Sequence, residues 1–388
     1  MVIAPHQHRE QLLLFFSLLA FIVGFVGCGP RDTSGSSERE FYVLEKVDSF
    51  SVHRETDLRI LDFHPEKKQF LAVDKLTGEF LLLDDRGRLI EEVSRRGEGP
   101  HEYSSNLLAL SFNQESGGYL AQSSREQIHY NEAWEVANRI RFSSYAGINF
   151  YTGPRYAVPS YQLSSTSDPY FFTSFFTGVG VGMGEDLPEE IALNLIEQYN
   201  PEKGELEWVM PYDMAFLPHF EVDETRKDVR PVPVYHLNSK SRRLYLTFHR
   251  SNQVGVYDLS RDFLLLERME FSHHSFSAVS NARNVGLFQF DEETMAILYF
   301  RGLPEPTAAV RKESDPDYYP LMDASLYYFI LLDSGNQLGK EVPFPVKCDA
   351  LEEKLLLPGG RLLLRERHAG DVEPEEHVYF IYELKPSR

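Results

Sequence analysis

Cysteine is almost missing from this sequence. Cys28 and Cys348 are the only two in 388 residues, which excludes a disulfide scaffold and a structural zinc site built from several cysteines. Basic residues are scarce too. The 39 Lys and Arg stand against 59 Asp and Glu, a formal net charge of -20, and the mean field of such a chain opposes a nucleic acid partner. The familiar catalytic signatures are likewise absent. There is no Gly-x-Ser-x-Gly elbow, no His-Glu-x-x-His, no glycine-rich loop ending in Lys-Ser or Lys-Thr, and no strand-to-helix dinucleotide fingerprint. Gly178, Gly180, Gly182 and Gly184 alternate, but without that context they read as a loop beside the aromatic run 170–176. His273 and His274 lack a spaced third ligand, and Asp84, Asp85 and Asp258 lack a complete set of oxygen ligands. No metal and no cofactor is expected.

What is present is material for a core: 42% apolar residues and 13% aromatics, with 28 Phe and 21 Tyr. One long apolar run, Leu12 to Gly27, follows His6, His8 and Arg9 and ends at Cys28-Gly29-Pro30. Its 16 residues, about 24 Å as a helix, fall short of the roughly 20 that a bilayer core requires, so it reads as a signal peptide rather than a span. Phe25-Val26-Gly27-Cys28 resembles the lipobox of bacterial lipoproteins, in which a small residue precedes a cysteine that is acylated and becomes the new amino terminus. That resemblance implies lipidation of Cys28 and an anchor in the outer membrane, its leaflet open. A polar stretch, Arg31 to Ser37, suits a tether. The resulting expectation is a signal peptide over 1–27, a tether over 28–40, a single domain over 41–384 and a tail over 385–388.

Beyond the tether the chain alternates short apolar runs with turns. Phe70–Asp74, Glu79–Asp84 and Arg88–Val93 are separated by Lys75-Leu-Thr-Gly78 and Asp85-Arg-Gly87. The rhythm returns at 119–140, at 243–268 and again towards the carboxyl terminus, in 354–357, 360–365 and 377–383. Small antiparallel sheets of this kind bury both faces when packed radially. The expected fold is therefore all-β, a six-bladed β-propeller with long insertions, with seven blades as the alternative count and a β-sandwich as the competing architecture. Residues 152–200 and 303–321 read as insertions, and Pro188–Gln198 as a short helix with Ile191 and Leu195 on one side.

Arg95-Arg-Gly-Glu-Gly-Pro-His-Glu-Tyr103 resembles the Gly-x-Gly-Pro-x-Glu-aromatic signature of a family of six-bladed β-propeller lipoproteins from Bacteroidetes, in a branch of unassigned function. The matching positions are Gly97, Gly99, Pro100, Glu102 and Tyr103, with His101 where the family more often has Gly. The resemblance spans 41–384 and implies the same fold and an envelope location. From the residues themselves, Gly97, Gly99 and Pro100 shape a loop, and Arg95 and Arg96 are suited to a carboxylate or an acidic sugar. The other candidates for ligand binding are His101, Arg155, Tyr156, Tyr161, His249 and Arg250; no catalytic residue can be named.

Two functional classes follow. The first is a non-enzymatic binding or scaffold module, a lipid-tethered monomer that recognises a saccharide, peptide or envelope protein. The second is an extracellular polysaccharide hydrolase or lyase on the same scaffold. A fold does not choose between them.

Overall fold

A computed structural model of the chain describes residues 41–103, 107–113, 117–123, 126–141, 157–164, 167–175, 194–211, 232–273, 281–333, 336–352, 354–368 and 375–387. Cys28, Arg155 and Tyr156 lie outside the described residues, as does the alternating-glycine segment.

The strands fall into six four-stranded antiparallel sheets. β1 (Tyr42–His53) opens the described chain. The first blade is then β2 (Leu58–His64), β3 (Gln69–Asp74), β4 (Phe80–Asp84) and β5 (Leu89–Val93). The second is β6 (Leu107–Phe112), β7 (Tyr119–Ser123), β8 (Glu126–Tyr130) and β9 (Val136–Arg141). β10 (Ser160–Tyr161), β11 (Tyr170–Phe175), β12 (Asn194–Asn200) and β13 (Glu205–Pro211) make the third. The fourth comprises β14 (Pro233–Asn238), β15 (Arg243–Phe248), β16 (Gln253–Asp258) and β17 (Leu264–Glu270). β18 (Arg283–Gln289), β19 (Thr294–Phe300), β20 (Tyr327–Asp333) and β21 (Asn336–Pro343) form the fifth, with a helix α1 (Glu305–Ser314) between its second and third strands. The sixth contains β22 (Lys354–Leu357), β23 (Arg361–Arg365) and β24 (Glu376–Pro386), and its fourth strand is β1. The chain is thus a six-bladed propeller whose last sheet is built from both ends of the domain.

Sequence and position in the blade agree. The middle strands are covered by neighbouring blades on both faces, and they are the near-continuous apolar runs: all of β7 and Phe80–Leu83 of β4 are buried. Outer strands have one wet face: β5 is mostly exposed and β9 has no buried residue. The turns repeat one device, an Asp or Asn whose carbonyl-type oxygen accepts backbone N–H groups two to four residues on. Asp74 accepts from Leu76 and Thr77, Asp84 from Arg86 and Arg88, Asn131 from Ala133 and Glu135, and Asp291 from Glu293 and Thr294. Gly78 and Gly87 supply the positive φ, both at 78°.

Two expectations are corrected. Residues 152–200 are not one insertion, because β10, β11 and the whole of β12 lie inside them. Asn194–Gln198, expected as the end of a helix, is extended within β12 and pairs with β11 and β13. Leu195, Ile196, Gln198 and Asn200 are buried. The two buried amides are satisfied by Glu207, whose Oε1 accepts from Gln198 Nε2 and Asn200 Nδ2 at 3.0 Å each, so polar residues occupy the inward positions of a strand.

Candidate functional site

In an antiparallel blade the start of the first strand and the end of the second lie at the same end, so the connections sort onto two faces of the ring. First-to-second and third-to-fourth connections share one face, where the longest is 162–169. The opposite face carries the second-to-third and blade-to-blade connections, of which 301–326 is the longest described throughout. Connections that long, on a rigid scaffold, are where binding residues concentrate.

A charged joint lies on this loop-rich face, where β1 hands the chain to the first blade. Arg54 binds Asp74 (Nε to Oδ2, 2.7 Å), Glu79 and Glu92 (2.9 Å each), and the Thr56 hydroxyl donates to Asp74. Lys75 Nζ lies 2.5 Å from Asp57 and 3.1 Å from Glu352. Arg365, from the end of β23, reaches Asp57 at 2.7 Å and donates to the Leu58 carbonyl, while Arg59 meets Glu352 at 3.3 Å. Burial works against the charge of Asp74, yet the bonds from Thr56, Thr77 N–H and Arg54 outweigh it and bring its pKa down to about 2. Burial opposes Asp57 as well, and hydrogen bonds from Lys75 and Arg365 still hold its pKa below the ordinary value. His377 Nε2 is 2.7 Å from the Thr56 carbonyl, and burial, with Arg365 adjacent, lowers its pKa. These groups latch the sixth blade to the first.

Beside the latch opens a cavity of about 420 Å³. Arg59, Lys75 and Arg96 bring three cations to its wall, Asp74 is its one acidic lining residue, and Leu61, Leu107 and Leu108 give an aliphatic side. Arg59 and Lys75 are shared with Glu352 and Asp57. Arg96 is exposed and makes no ion pair among the described residues.

The glycine-rich connection that carries Arg96 is a mechanical lock. A Cβ on Gly97 would sit 2.0 Å from Glu102 Oε2, because that carboxylate folds back to accept the Gly99 N–H at 2.7 Å. Tyr103 donates its hydroxyl to the Gly78 carbonyl at 2.8 Å and stacks on Phe80 with centroids 5.5 Å apart; burial pushes its phenol up to about 12. The motif therefore pins a blade-to-blade connection onto the Gly78 turn. Arg95 donates to the carbonyls of Trp134 (2.9 Å) and Ser94 (3.0 Å), and His101 Nδ1 accepts from Val136 N–H at 3.0 Å; neither lines the cavity. Tyr161 is 3% exposed, and its hydroxyl donates to Gln198 Oε1 at 3.0 Å in the core between the third and fourth blades.

His249 sits elsewhere on the same face, in a second cavity of about 300 Å³ with Arg283, Tyr327, Leu351 and Lys354. Burial, then the neighbouring Arg283, lowers its pKa to about 4, so the imidazole is neutral near pH 7. Arg250 is exposed and outside this cavity. Of the sequence candidates, Arg96 and His249 line cavities. Arg59, Lys75, Arg283 and Lys354 carry no motif that marks them in the sequence. Arg59, Arg283 and Lys354 belong to first strands of their blades, and the signal available for Arg59 was a charge placed near the start of the apolar run 58–64.

Among the described residues no helix is long and apolar enough to cross a membrane, and no group of three His, Cys, Asp or Glu side chains is arranged to hold a metal ion. No family's sequence profile matches the chain, and no curated protein matches it. Solved structures do. The chain is similar to a member of the DUF4221 family from Bacteroides vulgatus, at 13% identity and a TM-score of 0.62 over 90% of this chain and 100% of that one. It also matches a putative exported protein from Bacteroides fragilis, at 10% identity and a TM-score of 0.47, over 92% and 98% of the two chains. At these identities the first likeness concerns the fold.

Proposed function

We propose that this propeller is a non-catalytic binding module, held at the bacterial cell envelope by a lipid on Cys28, that takes the carboxylate of an acidic saccharide into the cavity walled by Arg59, Lys75 and Arg96. The observation that carries this reading is a cation-rich cavity in a chain of net charge -20, with Arg96 left outside every ion pair of the described latch. Arginine presents a planar fork matched to a carboxylate. The acids nearest the cavity support binding over catalysis. Asp57 and Asp74 are paired with cations and held deprotonated well below neutral pH, which leaves neither with a proton to donate to a leaving group.

Calorimetric titration with galacturonate, against galactose as the neutral control, tests this. Binding of the acid and not of the neutral sugar is expected, and Arg96→Ala should weaken it at least tenfold, about 1.4 kcal/mol, with an unchanged melting temperature because Arg96 is exposed. Equal affinity for galactose, or an Arg96→Ala protein that binds as the parent does, rejects the reading.

The tether is tested separately. The mature protein is expected to begin at an acylated Cys28, and Cys28→Ala to leave an unprocessed precursor. Intact mass and metabolic labelling with a fatty acid distinguish these, and an unmodified mature protein that retains residues 1–27 refutes the anchor.

A further inference from the structure

The second cavity differs from the first in having no acidic lining residue among the described residues. Its described lining includes two cations, Arg283 and Lys354, and a neutral His249. Arg283 comes from the start of β18, with its guanidinium 5.9 Å from the Phe300 ring, and no ion pair binds it among the described residues. A part-buried cation without a counter-ion is costly unless an anion from outside supplies one.

The cavity is also built to hold its shape. His249 donates its backbone N–H to the Val232 carbonyl at 3.0 Å, and its carbonyl accepts from Asn284 N–H at 2.7 Å. Asn284, fully buried, donates its side-chain amide to the carbonyls of Phe248 (2.9 Å) and Ser251 (2.8 Å). The turn that carries the imidazole is thus fastened to the strand that carries Arg283. Tyr327 gives its hydroxyl to the Leu321 carbonyl at 2.7 Å and serves as wall.

Glu352 touches lining residues of both cavities. Its carboxylate holds Lys75 and Arg59 of the first cavity. Its backbone carbonyl accepts from Lys354 Nζ of the second at 2.6 Å, and Leu351 lines that second cavity. One residue thus joins cations of both cavities, Arg59 and Lys75 on the first and Lys354 on the second, on one face of the ring.

We infer that the His249–Arg283–Lys354 cavity is a second acid-binding subsite, and that the ligand is an acidic oligosaccharide whose successive units place one carboxylate in each cavity. The inference rests on the reading that the Arg96 cavity takes a uronate. Compact cavities favour separate acidic units over an extended peptide, which is normally captured along a strand edge or a groove. Two linked units gain effective concentration at the second subsite.

The test compares galacturonate with digalacturonate on the full chain. The dimer is expected to bind about 100-fold more tightly than the monomer, and Arg283→Gln is expected to collapse that ratio to near one. His249→Gln, which keeps a neutral hydrogen-bonding side chain, should retain most of it. Melting temperatures show whether each variant is folded, and if Arg283→Gln is not, digalacturonate protection of Lys354 from amine-reactive labelling in the unmodified protein replaces it. A dimer that binds no better than the monomer, an unchanged ratio in Arg283→Gln, or a stronger advantage for a di-glutamyl peptide than for digalacturonate overturns the inference and leaves the first subsite standing. Failure of galacturonate to bind at all sinks the first reading instead.

Discussion

A chain beginning at Arg54, with β1 removed, is expected to be aggregated or unfolded, losing more than about 5 kcal/mol, much of the stability of an ordinary domain. β1 runs antiparallel to β24 from Tyr42↔Pro386 to His53↔Glu376, and it is the strand that makes the sixth sheet four-stranded. Phe50 and Val52 are buried in the cluster joining the sixth and first blades, with Phe50 stacked on Phe70 at 5.1 Å and on Tyr379 at 5.4 Å between centroids. Losing both side chains removes about 1.5–3 kcal/mol each. The bare edge of β24 then offers unpaired N–H and C=O groups beside Tyr379, Phe380 and Ile381, which is a template for pairing with other chains. Size-exclusion chromatography and circular dichroism on the truncated protein are the direct measurement. A synthetic peptide of residues 41–53, added during refolding, is expected to restore a monomer. A truncated protein that is monodisperse and melts like the parent would show that ring closure does not depend on this strand.

The same dependence explains what could be read from the sequence. Strands in the middle of a blade are covered on both faces, so β3, β4, β15, β19 and β20 show as uninterrupted apolar runs, bounded by Asp, Asn and Gly turns. Their spacing shows the repeated sheets and leaves six or seven blades, and the structure has six. The ring-closing role of β1 does not follow from that spacing, because Tyr42–Lys46 is only partly covered and its partner, Tyr382 to Pro386, lies at the far end of the chain. The third blade failed for a different reason. Gln198 and Asn200 face inward on a strand, and Glu207, seven to nine residues later, makes that tolerable; a reading by hydrophobic period places Ile191, Leu195 and Gln198 on one side of a helix instead.

The candidate site divides along similar lines. Arg96 and His249 were visible because each follows a recognisable strand at a turn or a glycine-rich connection. Arg283 and Lys354 lie far apart in sequence and meet because the fifth and sixth blades are neighbours, while Arg59 reaches Glu352 because the ring returns the sixth blade to the first. Gly97, Gly99, Glu102 and Tyr103 drew notice as a motif, and the structure assigns them a mechanical task, closing a loop on Gly78. Arg96 gains its position from that lock, so the motif bears on binding through geometry rather than contact.

Trp134 gives the second large effect, with an unusual order of variants. Replacing it by Ala is expected to cost about 3–5 kcal/mol, since it is 1% exposed and lies flat on Tyr119, with ring centroids 3.6 Å apart, while also packing on Phe80 and Tyr130. These rings weld the second blade to the first. The backbone at Trp134 has φ of 60°, a left-handed conformation that costs a residue with a Cβ roughly 1–2 kcal/mol. It arises because the hairpin between β8 and β9 makes a turn, Trp134 N–H to the Asn131 carbonyl at 3.0 Å, followed by a residue in that region, a position where glycine or asparagine is normal. In the indole-filled protein the packing outweighs the strain. Once the indole is gone only the strain remains, so Trp134→Gly should be about 1 kcal/mol more stable than Trp134→Ala, the reverse of the usual ranking inside regular structure. Urea melts of the two variants, followed by circular dichroism, decide it. An alanine variant equal to or more stable than the glycine variant would mean that the turn relaxes once the ring is removed and that the left-handed residue is imposed by the indole alone.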